Sequence, residues 1–408
     1  MIVLACLTAF CLPVQAEENI DVTAPAAILV DRASGNVLYE KNGSTRRDPA
    51  SLTKLMGLYL AVGELSDDTP ITMSDAAYET YDHSSGVLWI QREETLTAKD
   101  AEYASMLMSA NDTMAMLAEA VSGDAETFVA KMNQTAADLQ MNDTHFDNIF
   151  GLYREGNYAS PADLAVLTRQ ALQQPAFARL FGSSSYTLSP TNKNGQERVL
   201  PNDCQLLRSG SYQYEGILGG KIGSTVEGGY VLSAAASRDG MDLIAVVMGE
   251  ENAENAYADI TALFNYGFNA YRTVTIQKEM IEPKTVEVKN GRRHIADVIF
   301  SADGDFSLLL KENGQTDTLT AEIQVENADV ADPEQVRGKI VFSLNGRVIG
   351  EQPAHKEIKK ETASSSSSAS FASGFWMYYQ YMCIGLLILM SGLPLLRWLL
   401  RMMRPNNE

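Results

Sequence analysis

The sequence predicts an α+β fold, because strand-like and helix-like periodicities occupy separate stretches instead of alternating as βαβ units. Ala27–Asp31 and Val37–Glu40 flank a turn at Ser34-Gly35-Asn36, and Tyr230–Ser237 and Leu243–Met248 flank another at Asp239-Gly240. Between these hairpins Leu52–Leu65, Ala98–Met108, Asp112–Val121, Ala125–Leu139 and Ser160–Gln173 place apolar residues at three-and-four spacing, as does Ala253–Phe264 after them. Strands from distant parts of the chain must therefore meet in one antiparallel sheet that carries a helical subdomain.

After Tyr271 the pattern changes. Thr273–Gln277, His294–Phe300, Phe306–Leu310, Thr320–Val325 and Lys339–Leu344 alternate as strands, and Asn345-Gly346 is a hairpin turn, so 272–355 reads as a small all-β domain. Residues 356–374 contain a Ser-rich run and read as a flexible linker. Trp376–Leu396 carries no charge over 21 residues, a helix of about 31 Å, so 375–398 is expected to be a transmembrane anchor. Aromatic residues crowd both of its ends, and Arg397, Arg401 and Arg404 place 399–408 in the cytoplasm by the positive-inside rule. At the other end, 1–16 is apolar and closes on Val14-Gln15-Ala16, which reads as a secretory signal lacking the basic start of a complete one. The expected arrangement is a catalytic domain over 17–271 held outside the cell membrane by one C-terminal span.

Composition narrows the function. With 52 Asp and Glu against 32 Lys and Arg, the formal charge of −20 argues against a nucleic-acid partner. Cys204 is the one cysteine outside the expected signal and anchor, which excludes a disulfide framework. His83, His145, His294 and His355 show no metal-ligand spacing, so neither a metal nor another cofactor is expected.

Three short segments carry chemistry. Ser51-Leu52-Thr53-Lys54 puts a hydroxyl and an amine about one helical turn apart; beside other cations a buried lysine can lose its proton and serve as the base that a serine nucleophile needs. Ser109-Ala110-Asn111 falls between two helical patterns, where its side chains can enter a cleft. Lys221-Ile222-Gly223, with Gly219-Gly220 before it, reads as a strand edge able to approach a ligand closely. Taken singly, helix capping is the better account of Ser51, Ser109 and Asn111. Their order along the chain suits one cleft.

Together these segments resemble the S-x-x-K, S-x-N and K-T-G set of penicillin-interacting serine enzymes. The resemblance extends from about Ala26 to Tyr271, through Ala27–Asp31, Pro49–Lys54, Phe128–Asn133, Thr144–Asn148 and Gly151-Leu152, to the D-alanyl-D-alanine carboxypeptidase family of low-molecular-mass penicillin-binding proteins. It implies a β-lactamase/transpeptidase-like domain that removes the terminal D-alanine of peptidoglycan stem pentapeptides through an acyl-serine, with β-lactam antibiotics as acylating inhibitors. Ser51 would be nucleophile, Lys54 its base, and Ser109 and Lys221 a proton relay. Asn111, Ile222, Gly223 and Ser224 would line the substrate, with the Ser51 and Ser224 amides as oxyanion hole. The sequence departs from the family at Ile222, where a threonine hydroxyl is expected, at Ser224, at Asn202-Asp203-Cys204, and in lacking an arginine near 252–259. A catalytically weakened relative that binds or organises peptidoglycan, and a β-lactamase-like hydrolase, are the alternatives.

Overall fold

A computed structural model describes residues 20–83, 86–311, 318–328 and 330–360 of the chain. The expected signal 1–16, most of the linker, the anchor 375–398 and the tail 399–408 lie outside the described residues. Among the described residues no helix is long and apolar enough to cross a membrane.

The chain divides into two compact units, 1–275 with 307–315, and 276–306 with 316–408. The first is built on a five-stranded antiparallel sheet in the order Val37–Lys41, Ala26–Asp31, Met241–Glu250, Gly229–Arg238, Ile217–Thr225. Its central strands read as unbroken apolar runs because both faces are covered. Along Met241–Glu250, Ile244, Val246 and Met248 join the core beneath the helical subdomain, while Leu243, Ala245 and Val247 join the core under Ala253–Ala270. Pleat alternation thus assigns each strand residue to one of two cores.

The helices begin where the sequence supplies acceptors. Thr97, Asp124, Ser160 and Asn252 each accept from the backbone N–H three residues on, ahead of Ala98–Leu107, Ala125–Asp138, Pro161–Ala171 and Ala253–Ala270. The helix expected to be amphipathic over Leu52–Leu65 differs. It runs Thr53–Glu64 at the centre of the subdomain, with Thr53 through Leu58 all buried. Other helices surround it, and that stretch has no solvent face.

The second unit holds two three-stranded sheets, Lys284–Asn290, Arg293–Ser301 and His355–Lys360, and Leu319–Glu326, Arg337–Leu344 and Arg347–Pro353. Val298, Phe300, Ile340 and Phe342 are buried in it. Two boundaries differ from expectation. Tyr271–Ile276 and Phe306–Lys311 pair with each other, and all but their ends at Ile276 and Phe306 belong to the first unit. His355–Lys360 adds a strand where the linker was expected to start, since backbone pairing with Ala296–Ser301 holds a segment too polar to announce itself.

Candidate active site

The site is assembled around a sharp turn. Ala50 adopts a left-handed φ of 44°, and Ser51 is the middle residue of the 3-10 turn Ala50–Leu52 that leads into Thr53–Glu64. The serine therefore precedes the α-helix instead of opening it. Asp48 fixes this turn from both sides: its carboxylate accepts from the Ala50 N–H at 3.0 Å and from the Thr225 hydroxyl on the edge strand. Strain at Ala50 persists because such ties over-determine the backbone.

Lys54, 1% exposed, donates from Nζ to the Phe150 carbonyl at 2.6 Å. That carbonyl is held in place by Asn148, whose Oδ1 accepts from the N–H groups of Phe150, Gly151 and Leu152 at 3.0, 2.7 and 3.1 Å. Gly151 has a φ of 80° and passes so near the turn that carries Ser51 that a Cβ would lie 1.8 Å from the Ala50 carbonyl oxygen. No other residue fits there.

Ser109 also takes a left-handed φ, 54°, in the turn between Ala98–Leu107 and Asn111–Ser122. Its hydroxyl accepts from Lys221 Nζ, which joins the second and third motifs directly. Lys221 is 1% exposed, and burial pushes its pKa down to about 8 although Asp203 opposes the shift. Lys54 is lowered well below the ordinary lysine range, first by burial and then by the charge of Lys221. Two ammonium groups in one dry pocket cannot both be retained cheaply, so the pocket favours a neutral amine on one of the two lysines. Asn111 is buried, and its N–H donates to the Gly86 carbonyl at 2.5 Å.

The edge strand meets Ser51 at Gly223, where a Cβ would lie 2.6 Å from the Ser51 nitrogen. Lys221 pairs with Ser233, whose hydroxyl bonds Thr168 on the helical side; Ile222 pairs with Leu232 and packs against the opposite core. Ser224 is exposed beside Gly223.

This arrangement has counterparts among known proteins. The family model described as D-alanyl-D-alanine carboxypeptidase matches residues 13–252. The chain belongs to the D-alanyl-D-alanine carboxypeptidase family. It is 31% identical over 346 residues to D-alanyl-D-alanine carboxypeptidase DacF of Bacillus subtilis, covering 83% of this chain and 86% of the relative. It is 30% identical to DacC of Escherichia coli, covering 83% and 84%. Penicillin binding protein 5 from Haemophilus influenzae superposes with a TM-score of 0.71 at 25% identity, covering 83% of this chain and 98% of that one. A mutant of the Streptomyces K15 DD-transpeptidase gives 0.57 at 27% identity, covering 61% and 98%.

In this carboxypeptidase-family chain Ser51, Ser109, Lys221 and Gly223 come together through direct bonding or close backbone approach, and Lys54 lies within electrostatic reach of Lys221. Sequence reasoning gave no role to Asn148, Asp48 or the Phe150 carbonyl, which position the site without entering it. Asn148 and Gly151, three apart in a run of turn formers, were the available signal. Of the departing segment, Asn202 caps Cys204 N–H at 2.8 Å and bonds the Ser183 carbonyl, while burial pushes the Cys204 thiol up to about 12. Cys204 is thereby inert as a nucleophile.

Proposed function

We propose that this chain is a serine D-alanyl-D-alanine carboxypeptidase in which neutral Lys54 takes the Ser51 proton as Oγ attacks the penultimate D-alanine carbonyl of a stem pentapeptide. The Ser51 and Ser224 amides hold the oxyanion, and the proton reaches the leaving amine of the terminal D-alanine through Ser109 and Lys221. Water then cleaves the acyl-serine, releasing the shortened stem. Asn111 contacts the substrate backbone. β-Lactams acylate the same hydroxyl. The observation that carries this reading is the Lys221–Ser109 hydrogen bond beside Lys54, which is buried against the Phe150 carbonyl and whose pKa burial lowers.

Ile222 tempers the activity. Half-buried at the strand edge, it turns its apolar side chain to the far core and offers no hydroxyl to the substrate's terminal carboxylate, whereas the smaller threonine can turn its hydroxyl outward; a hydrogen bond to a charge is worth about 1.5 to 3 kcal/mol. D-Alanine release from a pentapeptide tests both points. Ser51→Ala should abolish release, and Ile222→Thr should raise kcat/KM about tenfold or more. Undiminished release by Ser51→Ala would overturn the assignment; an unchanged rate in Ile222→Thr would place the limitation elsewhere.

The same reading has the chain working at the outer face of the cell membrane. The uncharged run Trp376–Leu396 with Arg397, Arg401 and Arg404 behind it supports a C-terminal anchor, and the Ser-rich stretch before it supports reach toward the wall.

A further inference from the structure

Trp89 is 72% exposed and has a φ of 60°. A bulky residue in the left-handed region is costly, and so large an aromatic surface facing water is costly too. The structure nevertheless fixes both. Asp112 Oδ2, fully buried, accepts from the N–H groups on either side of the tryptophan, Leu88 at 2.8 Å and Ile90 at 3.1 Å. Asp112 directly follows Asn111, whose own N–H holds the Gly86 carbonyl. The turn that carries Ser109 and Asn111 therefore also presents the Trp89 ring.

Trp89 borders a cleft of about 570 Å3 lined further by Tyr78, Tyr81, His83, Gln91 and Arg92. Its volume falls within the range of small-molecule sites. Tyr78, Tyr81 and His83 pack on one another, which leaves Trp89 as the strongly exposed aromatic surface of the cleft, and the arginine among these described residues is already engaged: Arg92 bonds Asp75 and Glu79 and lies 4.1 Å from the Tyr78 ring centre. An anionic ligand would meet those carboxylates, and so would an anionic lipid surface. A neutral ring with apolar CH faces and hydrogen-bonding edges fits this chemistry.

We propose that the Trp89 cleft is a subsite for a sugar ring of the glycan strand, an N-acylated hexosamine, so that the enzyme binds its stem peptide together with the sugar that bears it. The proposal rests on the carboxypeptidase reading and extends it. Full-length chain would be assayed on free stem pentapeptide and on the same peptide joined to its disaccharide. The sugar-bearing donor should show kcat/KM about tenfold higher, and Trp89→Ala should bring that ratio to about one while Trp89→Phe keeps most of it. A ratio near one in the unmodified chain, or a ratio that Trp89→Ala leaves unchanged because both donors suffer equally, overturns the proposal. Calorimetric titration with an N-acetylglucosamine tetramer decides the subsite separately from catalysis: heat lost in Trp89→Ala supports it, and no binding to the unmodified chain refutes it. Failure to cleave either donor alongside normal tetramer binding would count against the carboxypeptidase reading alone.

Discussion

At the scale of single residues the proposed chemistry turns on two lysines, both 1% exposed. In the proposed mechanism Lys54 must be neutral to accept the serine proton, and burial with the nearby Lys221 charge lowers its pKa to favour that form. Lys221 serves as a donor to Ser109, a role that fades as it deprotonates at about 8. Release of D-alanine should therefore climb with pH as Lys54 loses its proton and decline above about pH 8 as Lys221 loses its own. A kcat/KM profile still level well above pH 8 would contradict this division of labour. The candidate residues could be named from the sequence because the proposed chemistry restricts their type and order. The bond between Lys221 and Ser109 could not, since it depends on which sheet edge faces which turn. Ile222 shows the same limit: its identity announced a missing hydroxyl, whereas its packing against the far core emerged only from the pleat.

Among elements, the segment Phe146–Leu152 does the most to hold the site. Asn133 brackets Phe146 through its N–H and carbonyl at 2.8 Å each, and Asn148 gathers three N–H groups. Replacing Asn148 by Ala leaves those donors without their acceptor and frees the carbonyl that Lys54 binds. We expect about 3 kcal/mol of lost stability, a drop in Tm of about 6 to 12 °C, and at least roughly tenfold slower release. An unaltered Tm would show that the segment is held by something else. Helices with clear caps and alternating faces, such as Ala125–Asp138, were legible from periodicity. Thr53–Glu64 was legible as a helix but not as a buried one, because burial by neighbouring helices leaves no trace in its own period. Strand His355–Lys360 was not legible, because the backbone pairing that holds it has no signature in its side chains.

For the whole molecule, acidic excess and buried carboxylates link stability to pH. Glu250 joins Thr23 and Asp259 in a polar knot that ties the chain's first described residues to Ala253–Ala270. Burial, then the Asp259 contact, raises its pKa from 4.5 to about 7, and burial raises Glu102 to about 8. Both folded values exceed the unfolded ones, so the folded state binds more protons and stability is lost as pH rises through that interval. Thermal unfolding should give a lower Tm at about pH 8 than at about pH 5, and Glu250→Gln should flatten part of that slope. A slope that the substitution leaves intact would remove Glu250 from the account. The change of period near Tyr271 suggested a boundary in the sequence, whereas the pairing of Phe306–Lys311 with Tyr271–Ile276 left no trace there, because it joins segments far apart along the chain. The central claim, that Ser51 forms an acyl-enzyme, is tested most directly by incubating the full chain with a penicillin and mapping the adduct by mass spectrometry. A single adduct on the peptide containing Ser51, absent in Ser51→Ala, is the predicted result. An unlabelled chain, or an adduct on any other residue, would contradict it.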